Sequence, residues 1–195
     1  MKKILIYEYI TGGGLLNEDL SSDLMSEARM ILSSTIESCK RSKSYDYSFF
    51  IDHRLKGYDS DKSIIIHKSS DLYKLSLLNK YDYILPILPE KNFNLLQYVN
   101  FLEKNNLKKI ISNSKTINIC SDKLKFFKYM DKHYISTIPT YNISDLKIRP
   151  KKYILKDRLG AGCSYVRVSS KRDLKKYYSA DKVIQPFIEG KHYSL

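Results

Sequence analysis

Lys156 closes an apolar run, Tyr153-Ile-Leu-Lys156, and Arg158 and the loop Leu159-Gly160-Ala161-Gly162-Cys163-Ser164 follow at once. An ammonium on a half-buried strand calls for an anion, because burying it unpaired is costly. Two glycines let a backbone approach a ligand closely and aim its amides at phosphate oxygens. This is not a P-loop, since no Gly-Lys-Ser/Thr follows. Alone, a Gly-x-Gly marks many hairpin turns, and Lys156 is one more lysine in a lysine-rich chain. With Arg158 between them, phosphate binding becomes the better reading. Further on, Val183-Ile-Gln185-Pro-Phe-Ile188-Glu189-Gly190 reads as a strand ending in a proline hinge. Such an end can offer backbone groups to an adenine edge, and Pro186 removes one donor and stiffens the turn. Glu189 could accept from ribose hydroxyls. The plainer alternative is an ordinary strand end with a Glu-Gly turn. Together the two segments supply the front of a nucleoside triphosphate site.

The elements that must position these residues read as α/β. Strands are expected at 3–9, 47–51, 63–67, 83–88 and 109–111, with helices over 18–40, where Leu20, Leu24, Met25, Ala28, Ile31, Leu32 and Ile36 read as one apolar face, and over 70–80 and 92–105. Alternating strands and helices imply a mainly parallel sheet, so residues 1–115 read as a Rossmann-like domain. Its ligand edge is the carboxyl ends of the strands, where Glu8, the loop Gly12-Gly13-Gly14 and Glu90 are candidate substrate contacts. Residues 116–195 form a second domain. There Ser121 or Asp122 can cap a helix, Ile138-Pro139-Thr140 breaks the pattern, two strands flank Gly160, a helix spans 171–178 and a strand spans 182–188.

The chain has 195 residues, 43% of them hydrophobic and 12% aromatic, which excludes a disordered protein. Cys39, Cys120 and Cys163 show no metal-ligand spacing, and a reduced, cytoplasmic chain is expected. The opening apolar run is too short for a signal peptide and Glu8 interrupts it. No stretch approaches the ~20 apolar residues of a membrane span. A net charge of +13 points first to nucleic acid. Lysines scattered among Ile, Tyr, Asn and Ser fit a compositional bias better, so a nucleic-acid partner is not expected.

The order Ser121-Asp-Lys123, Ile138-Pro139-Thr140, Ile154-Leu-Lys156, Gly160-Ala-Gly162 and Gln185-Pro-Phe-Ile-Glu-Gly190 with Ser194 resembles the ATP-grasp superfamily. Tyr7-Glu-Tyr9 with Gly12-Gly-Gly14, and Pro89-Glu90, resemble the preATP-grasp domain of the subgroup that includes the tyramine–glutamate ligases. The resemblance covers nearly the whole chain. It implies an ATP-dependent carboxylate–amine ligase acting through an acyl-phosphate, with a Rossmann-like preATP-grasp domain and an incomplete ATP-grasp α+β domain. It places Lys123 near the phosphates, Lys156 on phosphate and the adenine side, and Gly160, Ala161 and Gly162 in the loop closing over the phosphates. Gln185 and Ile188 would bracket adenine, with Glu189 at the ribose. The family's magnesium ligands come later than this hinge, so Mg2+ is expected only with a missing C-terminal half, and the isolated chain is expected to be inactive. A complementing chain or a homodimer is the expected partner. The alternatives are a non-catalytic nucleotide-binding module and, last, a basic nucleic-acid-binding protein.

Overall fold

The computed structural model describes residues 1–42, 44–55, 57–58, 60–145, 152–160, 166–169 and 179–191. The chain divides into two compact units, Met1–Pro89 with Phe93–Ser114, and Glu90–Asn92 with Lys115–Leu195.

The first unit is built on a parallel sheet of β1 (Lys2–Glu8), β2 (Tyr45–Asp52), β3 (Ser63–Ile66) and β4 (Tyr83–Ile87), in the order β3-β2-β1-β4. β1 is apolar at successive positions because both its faces are covered. Ile4 and Ile6 pack with Phe49, Ile51 and Leu32. Leu5 and Tyr7 pack on the other face with Phe50, Tyr98 and Leu102. Tyr7 meets Phe50 and Tyr98 edge-on, with ring centroids 5.5 and 5.0 Å away. Leu32 belongs to helix α1 (Ser22–Arg41), and Tyr98 and Leu102 to α3 (Asn94–Lys104), so one helix covers each face.

Three expectations need correction. α1 buries Met25, Ala28 and Leu32, whereas Leu24 and Ile31 are 49% and 36% exposed; both lie on one flank of that stripe, within roughly 60° of Ala28 around the helix. The helix expected over 70–80 is broken at Lys74, whose ψ of 101° is extended, into a 3-10 turn (Ser69–Tyr73) and the short α2 (Leu75–Leu78). The strand expected at 109–111 is only a bridge between Ile84 and Lys109.

The second unit holds an antiparallel sheet of β5 (Tyr153–Asp157), β6 (Val166–Ser169) and β7 (Lys182–Pro186), ordered β6-β5-β7. Among the described residues its core groups Tyr153, Leu155 and Ile184, with Tyr141 and Ile143 against them. Two helices precede it, α4 (Ser114–Cys120), which the sequence reading did not anticipate, and α5 (Lys123–Lys132). The helix expected over 171–178 lies outside the described residues. No helix among the described residues is long and apolar enough to cross a membrane.

Candidate nucleotide site

Alternation along β5 sends Tyr153 and Leu155 into the core and leaves Ile154 and Lys156 half-buried on the opposite face. The register completes that second face. Ile154 lies opposite Val168 and Gln185, and Lys156 opposite Val166 and Val183. Val166 and Val168 are 47% and 51% exposed. Val183 is fully buried, so this face is covered along β7 and open along β6; Lys156 stands beside that open, apolar part, suited to a flat apolar ring with an anionic tail.

The end of β5 is tied to the start of α5. Asp122 is buried, and its Oδ1 accepts from the amides of Leu124 and Lys125 at 3.0 and 3.1 Å, which makes it the N-cap. Ser121 does not cap; its hydroxyl donates to the Ile117 carbonyl. The Arg158 guanidinium forks onto the Asp122 carboxylate, with Nε 3.0 Å from both oxygens and Nη2 2.8 Å from Oδ2. Burial pushes the Asp122 carboxyl up, but Arg158 and the helix amides outweigh it and hold the pKa below its ordinary value. The backbone joins in: Lys123 N–H donates to the Arg158 carbonyl at 3.1 Å, and Arg158 N–H to the Asp181 carbonyl at 2.7 Å. Arg158, expected on phosphate, is therefore committed to Asp122. Lys123 Nζ donates to the Gly160 carbonyl at 2.9 Å. Gly160 has φ +94°, a conformation that favours glycine. Ala161 and Gly162 lie outside the described residues.

At the hinge, Gln185 Nε2 donates to Thr140 Oγ1 at 2.8 Å, so its side chain anchors β7 to the buried Thr140. Ile188 is 63% exposed. Glu189 pairs loosely with Lys152 at 3.6 Å on an exposed surface. Ser194 lies outside the described residues. Lys182 pairs with Asp157 across β5 and β7.

The carboxyl edge of the parallel sheet has its own frame. Glu8 is buried, and its Oε2 accepts from Thr11 N–H at 2.7 Å and Thr11 Oγ1 at 2.6 Å. Burial raises its pKa above the usual carboxylate value, and the Thr11 bonds pull part of the way back. Glu8 therefore closes its own turn and does not face an open site. The glycines serve that turn as well. A Cβ on Gly12 would fall 2.4 Å from the Glu8 carbonyl, and one on Gly14 2.4 Å from the Tyr9 ring; Gly13 has φ +89°. Asp52 is fully buried and bound by Arg54, which also donates to the Leu15 and Glu18 carbonyls at 2.7 and 2.9 Å. This clamp, unread in the sequence, pins the glycine turn to the end of β2. Glu90 groups with the second unit.

Residues 120–195 match the model of the ATP-grasp domain. That segment is similar to ATP-grasp domains. It contains α5, β5, β6, β7 and every residue proposed above for the nucleotide. The chain is 26% identical to the tyramine–L-glutamate ligase of Methanocaldococcus fervens, over 98% of this chain and 60% of that protein. It thus spans about 60% of the length of this curated relative. In fold it is similar to a putative ATP-grasp superfamily protein from Archaeoglobus fulgidus, with a TM-score of 0.71 at 22% identity, covering 97% of this chain and 54% of that one. It is also similar to D-alanine–D-alanine ligase from Bacillus anthracis, with a TM-score of 0.66 at 18% identity, covering 97% and 59%.

Within the ATP-grasp segment the sequence reading missed two partnerships, Asp122 with Arg158 and Thr140 with Gln185. Asp122 carries a cap signal, Asp-Lys before an amphipathic run. Nothing local marks an arginine so far along the chain as its partner.

Proposed function

We propose that this chain carries the ATP-binding portion of a carboxylate–amine ligase. In the reaction ATP transfers its γ-phosphoryl group to a carboxylate oxygen. An amine then attacks the acyl carbon, phosphate leaves, and an amide forms. The observation that carries the reading is Lys156 on the open apolar face of β5 and β6. Ile154, Val166 and Val168 would floor the adenine, and Lys156 would supply a charge-assisted bond to phosphate. Lys123 and the Gly160–Gly162 loop would lie along the phosphates, and Glu189 would exchange Lys152 for the ribose. Arg158 acts one step back, holding the start of α5 against the end of β5. The match of residues 120–195 to the ATP-grasp domain and the likeness to a tyramine–glutamate ligase support the reaction class. Among the described residues no three His, Cys, Asp or Glu side chains cluster to hold a metal ion.

Calorimetric titration with ATP tests the reading. A charge-assisted hydrogen bond contributes roughly 1.5–3 kcal/mol, so Lys156→Ala should weaken ATP binding by about ten-fold or more. Lys104→Ala, an exposed lysine of α3, should change little. Equal losses in the two variants, or no ATP binding by the unaltered chain, would overturn it.

A further inference from the structure

The charge of this protein is not evenly spread. The second unit, Glu90–Asn92 with Lys115–Leu195, holds nineteen Lys and Arg against eight Asp and Glu, which is +11 of the chain's +13. Even scattering, the ground for setting nucleic acid aside, does not survive the division into units. One described element concentrates the excess. α5 turns Leu124 inward and sends Lys125, Lys128, Tyr129 and Lys132 to solvent, with His133 at its end. The three lysines fall within roughly 60° of one another around the helix. Among the described residues none of them pairs with a carboxylate; Lys125 Nζ donates to the neutral Asn118 Oδ1 at 2.8 Å. Asp131, the acidic residue within α5, lies roughly 60° from Lys128 and roughly 100° from Lys132 around the helix.

Aromatic rings sit beside that stripe. Tyr129 is 44% exposed and meets His133 in a tilted arrangement, with ring centroids 4.5 Å apart. Tyr134, immediately after the helix, is 98% exposed and has φ +56°. That conformation ordinarily takes glycine, so a wholly solvated ring is held here against backbone preference. Basic side chains neutralise phosphates whatever the sequence, and exposed aromatic rings stack unpaired bases. An acidic protein segment would use the lysines and leave the rings idle. An anionic bilayer would want apolar side chains among these lysines, whereas Leu124 is buried and Phe126, Phe127 and Met130 are half-buried.

We infer that the solvent face of α5, with Tyr134, is a docking surface for single-stranded nucleic acid. It uses none of the residues assigned to the nucleotide and does not rest on the ligase reading. The test is fluorescence anisotropy of a labelled oligothymidylate against the full chain over a range of salt. Lys128→Ala with Lys132→Ala should flatten the slope of log affinity against log salt by about 1.4, at roughly 0.7 for each single-strand phosphate no longer neutralised. Lys80→Ala with Lys104→Ala, the same charge change on the first unit, should leave the slope unchanged. Tyr129→Ala should weaken binding about ten-fold or more as its ring ceases to stack on a base. Tyr134→Gly should weaken binding while the protein becomes no less stable, so unfolding cannot account for the loss. Excess ATP should not displace the oligonucleotide. The inference fails if both lysine pairs act equally, if ATP competes, if the tyrosine variants bind normally, or if anionic phospholipid vesicles bind α5 and the oligonucleotide does not.

Discussion

Asp122 and Arg158 contribute unequally despite forming one pair. The carboxylate caps α5 and holds the guanidinium, whereas Arg158 only completes the fork. Loss of an N-cap costs about 1 kcal/mol, and hydrogen bonds to charged groups add about 1.5–3 kcal/mol. Asp122→Ala should therefore cost about 2–4 kcal/mol in urea unfolding, and Arg158→Ala clearly less, because the cap survives. Equal costs would show that the cap contributes nothing. Tyr134 gives the opposite sign. Its left-handed conformation costs an L-residue roughly 1–2 kcal/mol, and glycine returns part of that gain as chain entropy. Tyr134→Gly should raise stability by about 0.5–1 kcal/mol, read as an upward shift in the midpoint of thermal unfolding. A fall in the midpoint would mean that the Tyr134 ring stabilises the fold.

Two helices end in the same way. After α5, Ile135 N–H donates to the Met130 carbonyl at 2.9 Å and Tyr134 N–H to Asp131 at 3.0 Å. After α3, Leu107 N–H donates to Leu102 at 2.9 Å and Asn106 N–H to Glu103 at 3.1 Å. Both are Schellman motifs, with Tyr134 and Asn106 in the left-handed position. Asn tolerates that position better than Tyr, which makes α5 the costlier ending. The C-terminal part of α3 is also stapled to the chain that follows. Glu103 accepts from Lys109 Nζ at 2.8 Å and from Ser114 at N and Oγ, at 3.1 and 2.5 Å. Lys109 first, then Ser114, hold the Glu103 carboxyl down at about 2. A depressed carboxylate binds fewer protons folded than unfolded, so its contribution is present above the unfolded value near 4.3 and is lost as pH falls towards 2. The stability difference between the unaltered protein and Glu103→Gln should be constant above about pH 5 and shrink to nothing near pH 2. A difference that persists at pH 2 would mean the staple is not electrostatic.

The two units differ in how much they bury. Among the described residues, the parallel sheet has large clusters on both faces, while the antiparallel sheet rests on Tyr153, Leu155 and Ile184 with two half-buried neighbours. Local opening free energies follow buried apolar contact. Backbone amides of β5 and β7 should therefore exchange with deuterium well before those of β1 and β2. Simultaneous exchange would show one cooperative block. The same division carries the charge, since the less well buried unit holds most of the excess cations.

The alternating pattern of strands and helices, the apolar β1 and the Asp122 cap signal were legible because each depends on residues near one another in the chain. Period and propensity determine such features before any tertiary contact forms. The break at Lys74, the bridge in place of a strand at Lys109 and the exposure of Leu24 and Ile31 were not legible, because apolar spacing alone cannot say how wide a stripe the neighbouring sheet will cover. Partnerships were the least legible of all. Glu8 reads as a substrate contact until Thr11 and Gly12 fold over it. Arg158 reads as a phosphate ligand until the start of α5 brings Asp122 to it. A charged side chain goes to whichever opposite charge the fold leaves beside it. That choice is made by the packing of elements far apart in sequence, so only the tertiary structure decided which cations were already paired and left Lys156 on an open face.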